Sequence, residues 1–194
     1  MQKRAVKQYS PEEYLALEEK AAFKSEYYQG EIFAMAGASA NHNRIVGNLH
    51  ANLHASLTPK DCEVFMSDLR VRVEARNLFT YPDVTIVCGD LEFYKNRDDT
   101  ILNPFILFEV LSKSTEGYDH GKKFEFYRAI PGLKEYVLVD QYNIHIERFS
   151  IGDAGKWVLT EFYEKDKILT FDYLEVQIPL TAVYRRVDFG ESVK

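Results

Sequence analysis

Apolar residues follow three rhythms along this chain, and each predicts different elements. At the start, Ser10-Pro11-Glu12-Glu13 predicts the first turn of a helix. Ser10 caps it, Pro11 has no amide hydrogen to leave unpaired, and Glu13 closes a capping box, with Tyr9 and Tyr14 placed as a hydrophobic staple. Leu17, Ala21 and Phe23 extend an imperfect apolar face. Gly30 ends that element or opens a hairpin, and residues 31–35 read as a short strand paired with one before Gly30.

From Ser39 the period becomes helical. Ile45, Leu49, Leu53 and Leu57 recur every four residues, and Val46 widens the stripe. Ser39 or Asn41 supplies the cap and Pro59 closes the helix. Alternation follows: Val64, Met66, Leu69, Val71 and Val73, broken near Ser67-Asp68, predict one or two half-exposed strands, with Arg70, Arg72 and Glu74 on the other face. Residues 81–88 predict a strand that begins behind Pro82.

Residues 105–111 are apolar almost without interruption, the pattern of a central strand covered on both faces. A helix over 119–129 would be capped by Asp119, anchored by Phe124 and Tyr127, and ended by Pro131-Gly132. Residues 136–140 and 144–149 predict a hairpin through Gln141-Tyr142-Asn143, and 157–162 a further strand. Turns are expected at 152–155 and at Lys165-Asp166. With no linker or repeat, the reading is one mixed α/β domain over 1–194.

Composition narrows the class. The chain has 194 residues, of which 46% are hydrophobic, too many for a disordered protein. The formal charge is −6, its acidic excess concentrated in residues 61–118, so no positive field covers the whole molecule as in a non-specific nucleic-acid binder. Cys62 and Cys88 are too few for a disulfide-built scaffold or a four-cysteine zinc site, and Cys88 reads as buried packing. No apolar run approaches the ~20 residues of a membrane span. The N-terminus MQKRAVKQYSPEEY lacks a signal-peptide core, so a soluble cytoplasmic protein is expected.

Two carboxylates carry the chemistry. Glu109 sits inside the apolar strand, where a charge costs several kcal/mol unless it is paired or bound to a cation. Pairing with a buried arginine or lysine is the plainer alternative. Asp83, behind Pro82, reads as a turn carboxylate when taken alone. Together the two suggest oxygen ligands on neighbouring strands, suited to Mg²⁺ or Mn²⁺. Lys122 and Lys123 lie on the following helix, and the helical spacing puts His120, Lys123 and Tyr127 on one side. A lysine near a helix N-terminus is opposed by the dipole, which argues for a specific role. His42 points inward, either to a site group or to the backbone. His50 and His54 are spaced to share a metal, but no third ligand accompanies them.

The ordered set Lys24-x-Glu26-Tyr27, Gly30-Glu31-Ile32, Ser39-x-Asn41-His42, Tyr81-Pro82-Asp83-Val84, Glu109-Val110-Leu111-Ser112-x-Ser114-Thr115 and Asp119-x-Gly121-x-Lys123-x-x-x-Tyr127 resembles a known family. It is the "putative restriction endonuclease" family abundant in cyanobacteria, once catalogued as a domain of unknown function, within the PD-(D/E)XK nuclease superfamily. The likeness covers about residues 10–185. It implies a restriction endonuclease-like α/β fold, a mixed sheet flanked by helices with additional hairpins, and metal-dependent cleavage of DNA.

By that resemblance Asp83 and Glu109 are the acidic pair and ligands of Mg²⁺ or Mn²⁺. The backbone carbonyl of Val110 joins them, and Glu26, assigned to the first helix region, is the accessory carboxylate. Leu111 stands where the superfamily carries its lysine, and the family's relocated lysine corresponds to Lys123. His42 and Tyr127 are accessory residues, Tyr127 by packing on the lysine stem. DNA is the expected partner, met by a basic rim drawn from Arg70, Arg72, Lys95, Arg97 and Lys113. A homodimer would present two cutting sites to a duplex. Two rivals are a catalytically silent nuclease-fold binding or scaffold protein, and an oligomeric domain whose Asp/Glu/Lys set is an internal ion-pair network.

Overall fold

The computed structural model describes residues 7–165 and 167–190. Residues 1–6, part of the signal-core reading, and Asp166 of the expected turn lie outside the described residues. Helix α1 (Pro11–Glu18) begins as its sequence dictates: the Glu13 amide donates to Ser10 Oγ at 3.1 Å, and the Ser10 amide donates to Glu13 Oε2 at 2.8 Å. The expected extension to Phe23 is not made. The helix stops at Glu18, and Leu17 and Phe23 are 48% and 81% exposed because Tyr14 and Leu15 already fill the underlying core.

Strands β1 (Ser25–Tyr28) and β2 (Glu31–Ala34) form a hairpin. Its two turn residues, Gln29 and Gly30, have φ of 47° and 96°, the left-handed pair that a tight two-residue turn requires. Helix α2 (Ala40–Leu57) is capped by Ser39, whose Oγ accepts from the His42 amide. Ile45, Val46, Leu49, Leu53 and Leu57 are all buried, as the four-residue repeat predicts.

The remaining strands are β3 (Cys62–Met66), β4 (Arg70–Val73), β5 (Leu78–Thr80), β6 (Val84–Cys88) and β7 (Thr100–Ile101). They continue with β8 (Ile106–Leu111), β9 (Glu135–Asp140), β10 (Ile146–Ile151), β11 (Trp157–Phe162), β12 (Ile168–Thr170) and β13 (Gln177–Pro179). A six-stranded sheet has the order β11-β10-β9-β8-β6-β3, and a five-stranded one the order β2-β1-β5-β4-β7. β8 is central and pairs in parallel with β9.

The β8–β9 crossover holds a helical run over residues 116–127. It consists of α3 (Glu116–Tyr118), a π-helical turn (Asp119–Lys123) and α4 (Phe124–Tyr127). Alternation along β8 therefore separates two cores. Ile106, Phe108 and Val110 pack with the α2 stripe, while Leu107 and Leu111 pack with Phe126, Tyr127 and Tyr136. Glu109 belongs to the second face, beneath the helical run.

Several local expectations are corrected. β4 is buried along its whole length, not half-exposed. The Arg70 guanidinium donates to Tyr81 Oη and Thr100 Oγ1, and Arg72 lies 4.3 Å from the Phe79 ring centroid, so polar partners and rings cover the face that alternation left to solvent. These two arginines, 5% and 7% exposed, cannot form a basic rim. Asp119 is not a cap but a buried member of the π-turn.

Cys62 and Cys88 sit directly opposite each other on β3 and β6 and form a disulfide, where packing alone was expected for Cys88. Strand β5, the β12–β13 pair and helix α5 (Leu180–Val183) have no counterpart in the sequence reading. Among the described residues no helix is long and apolar enough to cross a membrane.

Candidate functional site

Register builds the site. In the β1–β5 pair Tyr27 lies opposite Phe79 and Tyr28 opposite Leu78, so the next step outward brings Glu26 opposite Thr80. Thr80 Oγ1 donates to Glu26 Oε1 in a short hydrogen bond. Glu26 therefore comes from a strand, not from the first helix region, and its side chain is 16% exposed. From the other sheet, β8 presents Glu109 on the face covered by the helical run.

Lys123 reaches Glu109 from the π-turn. Its Nζ lies 2.8 Å from Glu109 Oε1, 3.6 Å from Glu26 Oε1 and 3.6 Å from Asp119 Oδ1. Tyr127 Oη donates to the same Glu109 oxygen at 2.7 Å. Tyr127 thus contributes a hydroxyl to the carboxylate, a more direct contact than the packing expected of it.

Asp83 precedes β6 where the β6–β8 ladder ends. Its amide donates to the Phe108 carbonyl, while its Oδ2 accepts the Val110 amide at 2.7 Å and lies 3.1 Å from His42 Nε2. A strand residue points its N–H and C=O to the same edge, so the Val110 carbonyl also faces the Asp83 side. The inward face of α2 delivers His42 to this carboxylate, and the ring's Nδ1 is buried without a hydrogen-bond partner among the described residues.

The electrostatics follow from enclosing Glu26, Asp83, Glu109 and Asp119 with a single lysine. Burial raises the Glu109 pKa well above the carboxylate range; Lys123 pulls against that shift, and Asp83 and Asp119 add to it. For Lys123 burial disfavours the ammonium, but Glu109, Tyr127, Glu26 and Asp119 outweigh it and hold the pKa above its ordinary value. Burial also raises Asp119, whose Oδ1 has no hydrogen-bond donor among the described residues. The cluster is short of positive charge.

That deficit and the donor chemistry fit a hard divalent cation. All the donors are oxygens, and Asp83 Oδ1 and Glu109 Oε2 make no hydrogen bond among the described residues. Thr80 and Asp119 join the site beyond the residues expected of it. Asp119 was legible as the residue four before Lys123, whereas Thr80 required the β1–β5 register.

His120 departs from the expected common face with Lys123. Its Nε2 lies 2.9 Å from Glu147 Oε1 on β10. A π-turn advances each residue by less than the ~100° of an α-helix, so a three-residue step no longer returns to one side. Lys122 turns elsewhere, 5.3 Å from the Tyr28 ring centroid. Of the remaining rim candidates, Lys95 pairs with Glu12, Arg97 with Asp99 and Glu19, and Lys113 lies exposed over the Tyr142 ring. His50 and His54 stack on each other at 5.7 Å.

Comparison with known proteins gives a consistent picture. The family model described as "Uma2: Putative restriction endonuclease" matches residues 11–182. The chain is 40% identical over 165 residues to the uncharacterized protein sll1609 of Synechocystis sp., covering 84% of this chain and 93% of that one. It is 34% identical over 180 residues to slr1290 of the same organism, covering 93% of each. A crystal structure from Anabaena variabilis ATCC 29413, described as a putative nuclease belonging to DUF820, superposes with a TM-score of 0.72 at 16% identity. That match covers 91% of this chain and 97% of the other, and it shows a shared fold.

Proposed function

Because the chain belongs to the Uma2 family, described as "putative restriction endonuclease", we propose that it hydrolyses DNA phosphodiester bonds at the Asp83–Glu109–Lys123 cluster, using Mg²⁺ or Mn²⁺. The observation that carries this reading is the approach of Lys123 Nζ to within 2.8 Å of Glu109 Oε1, from a helix rather than from the strand position held by Leu111. A buried lysine amid an excess of carboxylates is poorly explained by structural pairing alone.

Asp83 and Glu109 would hold the cation, assisted by the Val110 carbonyl and Glu26. When bound, it supplies positive charge against the scissile phosphate and favours ionisation of water there. The protein's own groups do the rest. The Val110 amide and His42 fix Asp83 through Oδ2, leaving Oδ1 for a ligand. Tyr127 fixes Glu109 through Oε1 and leaves Oε2. Lys123 carries a positive charge to the place where the phosphate oxygens gain negative charge, a contribution worth most in a site shielded from water.

The test is purified protein with Mg²⁺ or Mn²⁺ against supercoiled, linear and single-stranded DNA, beside the Asp83→Ala protein. Cleavage that depends on both metal and Asp83 supports the reading. Metal binding without turnover on any substrate would favour a silent nuclease-fold protein.

A further inference from the structure

A second group of ligating side chains lies on the same face of the six-stranded sheet. The register places Glu109, Leu138, Glu147 and Glu161 in one cross-strand row through β8, β9, β10 and β11. Neighbouring strands are ~4.8 Å apart, so Glu147 stands roughly 10 Å from Glu109. Glu147 and Glu161 are directly opposed carboxylates, an arrangement that destabilises an antiparallel pair unless something positive lies between them.

Histidines surround that pair. His145 Nε2 lies 3.2 Å from Glu161 Oε1, and His120 Nε2 lies 2.9 Å from Glu147 Oε1. One ligand atom from each of His145, Glu147 and Glu161 falls within 4.8 Å of the other two. We propose that His145, Glu147 and Glu161, with His120 as a further ligand, bind a transition-metal ion of the Zn²⁺ class, separate from the hard-cation cluster at Asp83 and Glu109.

Three features carry the assignment. The first is spacing: ligands each ~2.0–2.1 Å from a tetrahedral Zn²⁺ are roughly 3.3 Å from one another, close to the His145–Glu161 separation. The second is ring orientation. His120 Nδ1 lies 2.9 Å from the Glu116 carbonyl, so it carries the proton and donates it there, which presents Nε2 to Glu147. A backbone carbonyl on the far nitrogen is the usual second partner of a metal-binding histidine. His145 is held flat against Tyr163, with ring centroids 4.6 Å apart and planes 6° from parallel.

The third feature is chemistry. Two imidazoles and two carboxylates make a nitrogen–oxygen set that suits Zn²⁺ and is a poor match for Mg²⁺, and a dication would neutralise the opposed glutamates. His145 and Glu161 side chains are 25% and 36% exposed, which leaves a path for entry. Such an ion would tie the β10–β11 hairpin to the π-turn that also carries Lys123.

The experiment uses the full chain carrying Asp83→Asn and Glu109→Gln, so that the first cluster contributes no binding and cleavage is not the readout. Co²⁺ is the spectroscopic probe. The expected result is uptake of one Co²⁺ with tetrahedral visible absorption, displaced by Zn²⁺ and not by excess Mg²⁺. Adding His145→Gln or Glu161→Gln should weaken Co²⁺ affinity at least tenfold while circular dichroism stays unchanged and the urea midpoint does not fall. Glu161→Gln is the milder change because it also relieves the carboxylate opposition. No Co²⁺ or Zn²⁺ uptake by the starting protein, or uptake insensitive to both additional changes, would overturn the proposal.

Discussion

Lys123 and Glu109 stand 2.8 Å apart inside the protein although one belongs to a π-turn and the other to the central strand. Lys123→Ala should therefore remove a charge from the reacting centre without removing a metal ligand. Cleavage should fall by ~10²-fold or more, the scale of losing one preorganised electrostatic donor. Lys122→Ala, whose ammonium lies over Tyr28, should stay near wild type. Rates of both variants at saturating Mn²⁺ decide the point, and equal activity would reject Lys123.

Asp83→Asn and Glu109→Gln should each lose Mn²⁺ affinity by calorimetric titration, yet both should fold. In the Glu109→Gln protein the side-chain amide oxygen can still accept from Tyr127 and Lys123, and the change removes one of several crowded negative charges. Apo stability should change little or rise. Unfolding of both apo variants would point instead to a structural ion-pair network.

A pH effect is expected away from the site. Glu135 has no exposure, and burial pushes its pKa to about 7 against the pull of Arg148 and the amides of Tyr173 and Asp172. The native state then binds a proton that the unfolded chain releases near pH 4.5, so stability falls as pH rises from 4.5 through 7. At about 1.4 kcal/mol per pH unit the loss is roughly 3 kcal/mol. Urea unfolding at pH 5 and pH 8 should show this difference, and Glu135→Gln should flatten it. An unchanged slope in the variant would assign the pH dependence elsewhere.

Reduction should destabilise the sheet edge. The Cys62–Cys88 bridge joins residues 26 apart in sequence, and closing a loop of that length stabilises by about 3.5 kcal/mol in the chain-entropy estimate. A reductant should lower the urea midpoint of the wild type and leave the Cys62→Ser/Cys88→Ser protein unaffected. Two titratable thiols in unreduced, denatured wild type would contradict the bridge.

Much of the scaffold was legible because its signals are local. The Ser10–Glu13 box, the α2 stripe and the apolar run of β8 each depend on a few neighbouring residues. Features set by pairing between distant segments were not legible. Cys62 meets Cys88 only through the β3–β6 register, and Arg70 is buried because Tyr81 and Thr100 from other segments reach it. Thr80 joins Glu26 through a short strand with too few positions to show a period. The inward direction of His42 is readable from α2, whereas that of His120 is not, because a π-turn replaces the α-helical step there.

The π-turn acts as a phase shifter between two parts of the molecule. With one extra residue in its circuit, the helix sends Asp119 and Lys123 toward β8 while the intervening His120 faces β10. A backbone one residue shorter at Gly121 would regain ordinary helical pitch and leave Lys123 two positions after His120, about 200° around the helix, so the turn could not keep both of its present contacts. Sequence length in this turn, more than the identity of any single side chain, keeps the two clusters facing different strands.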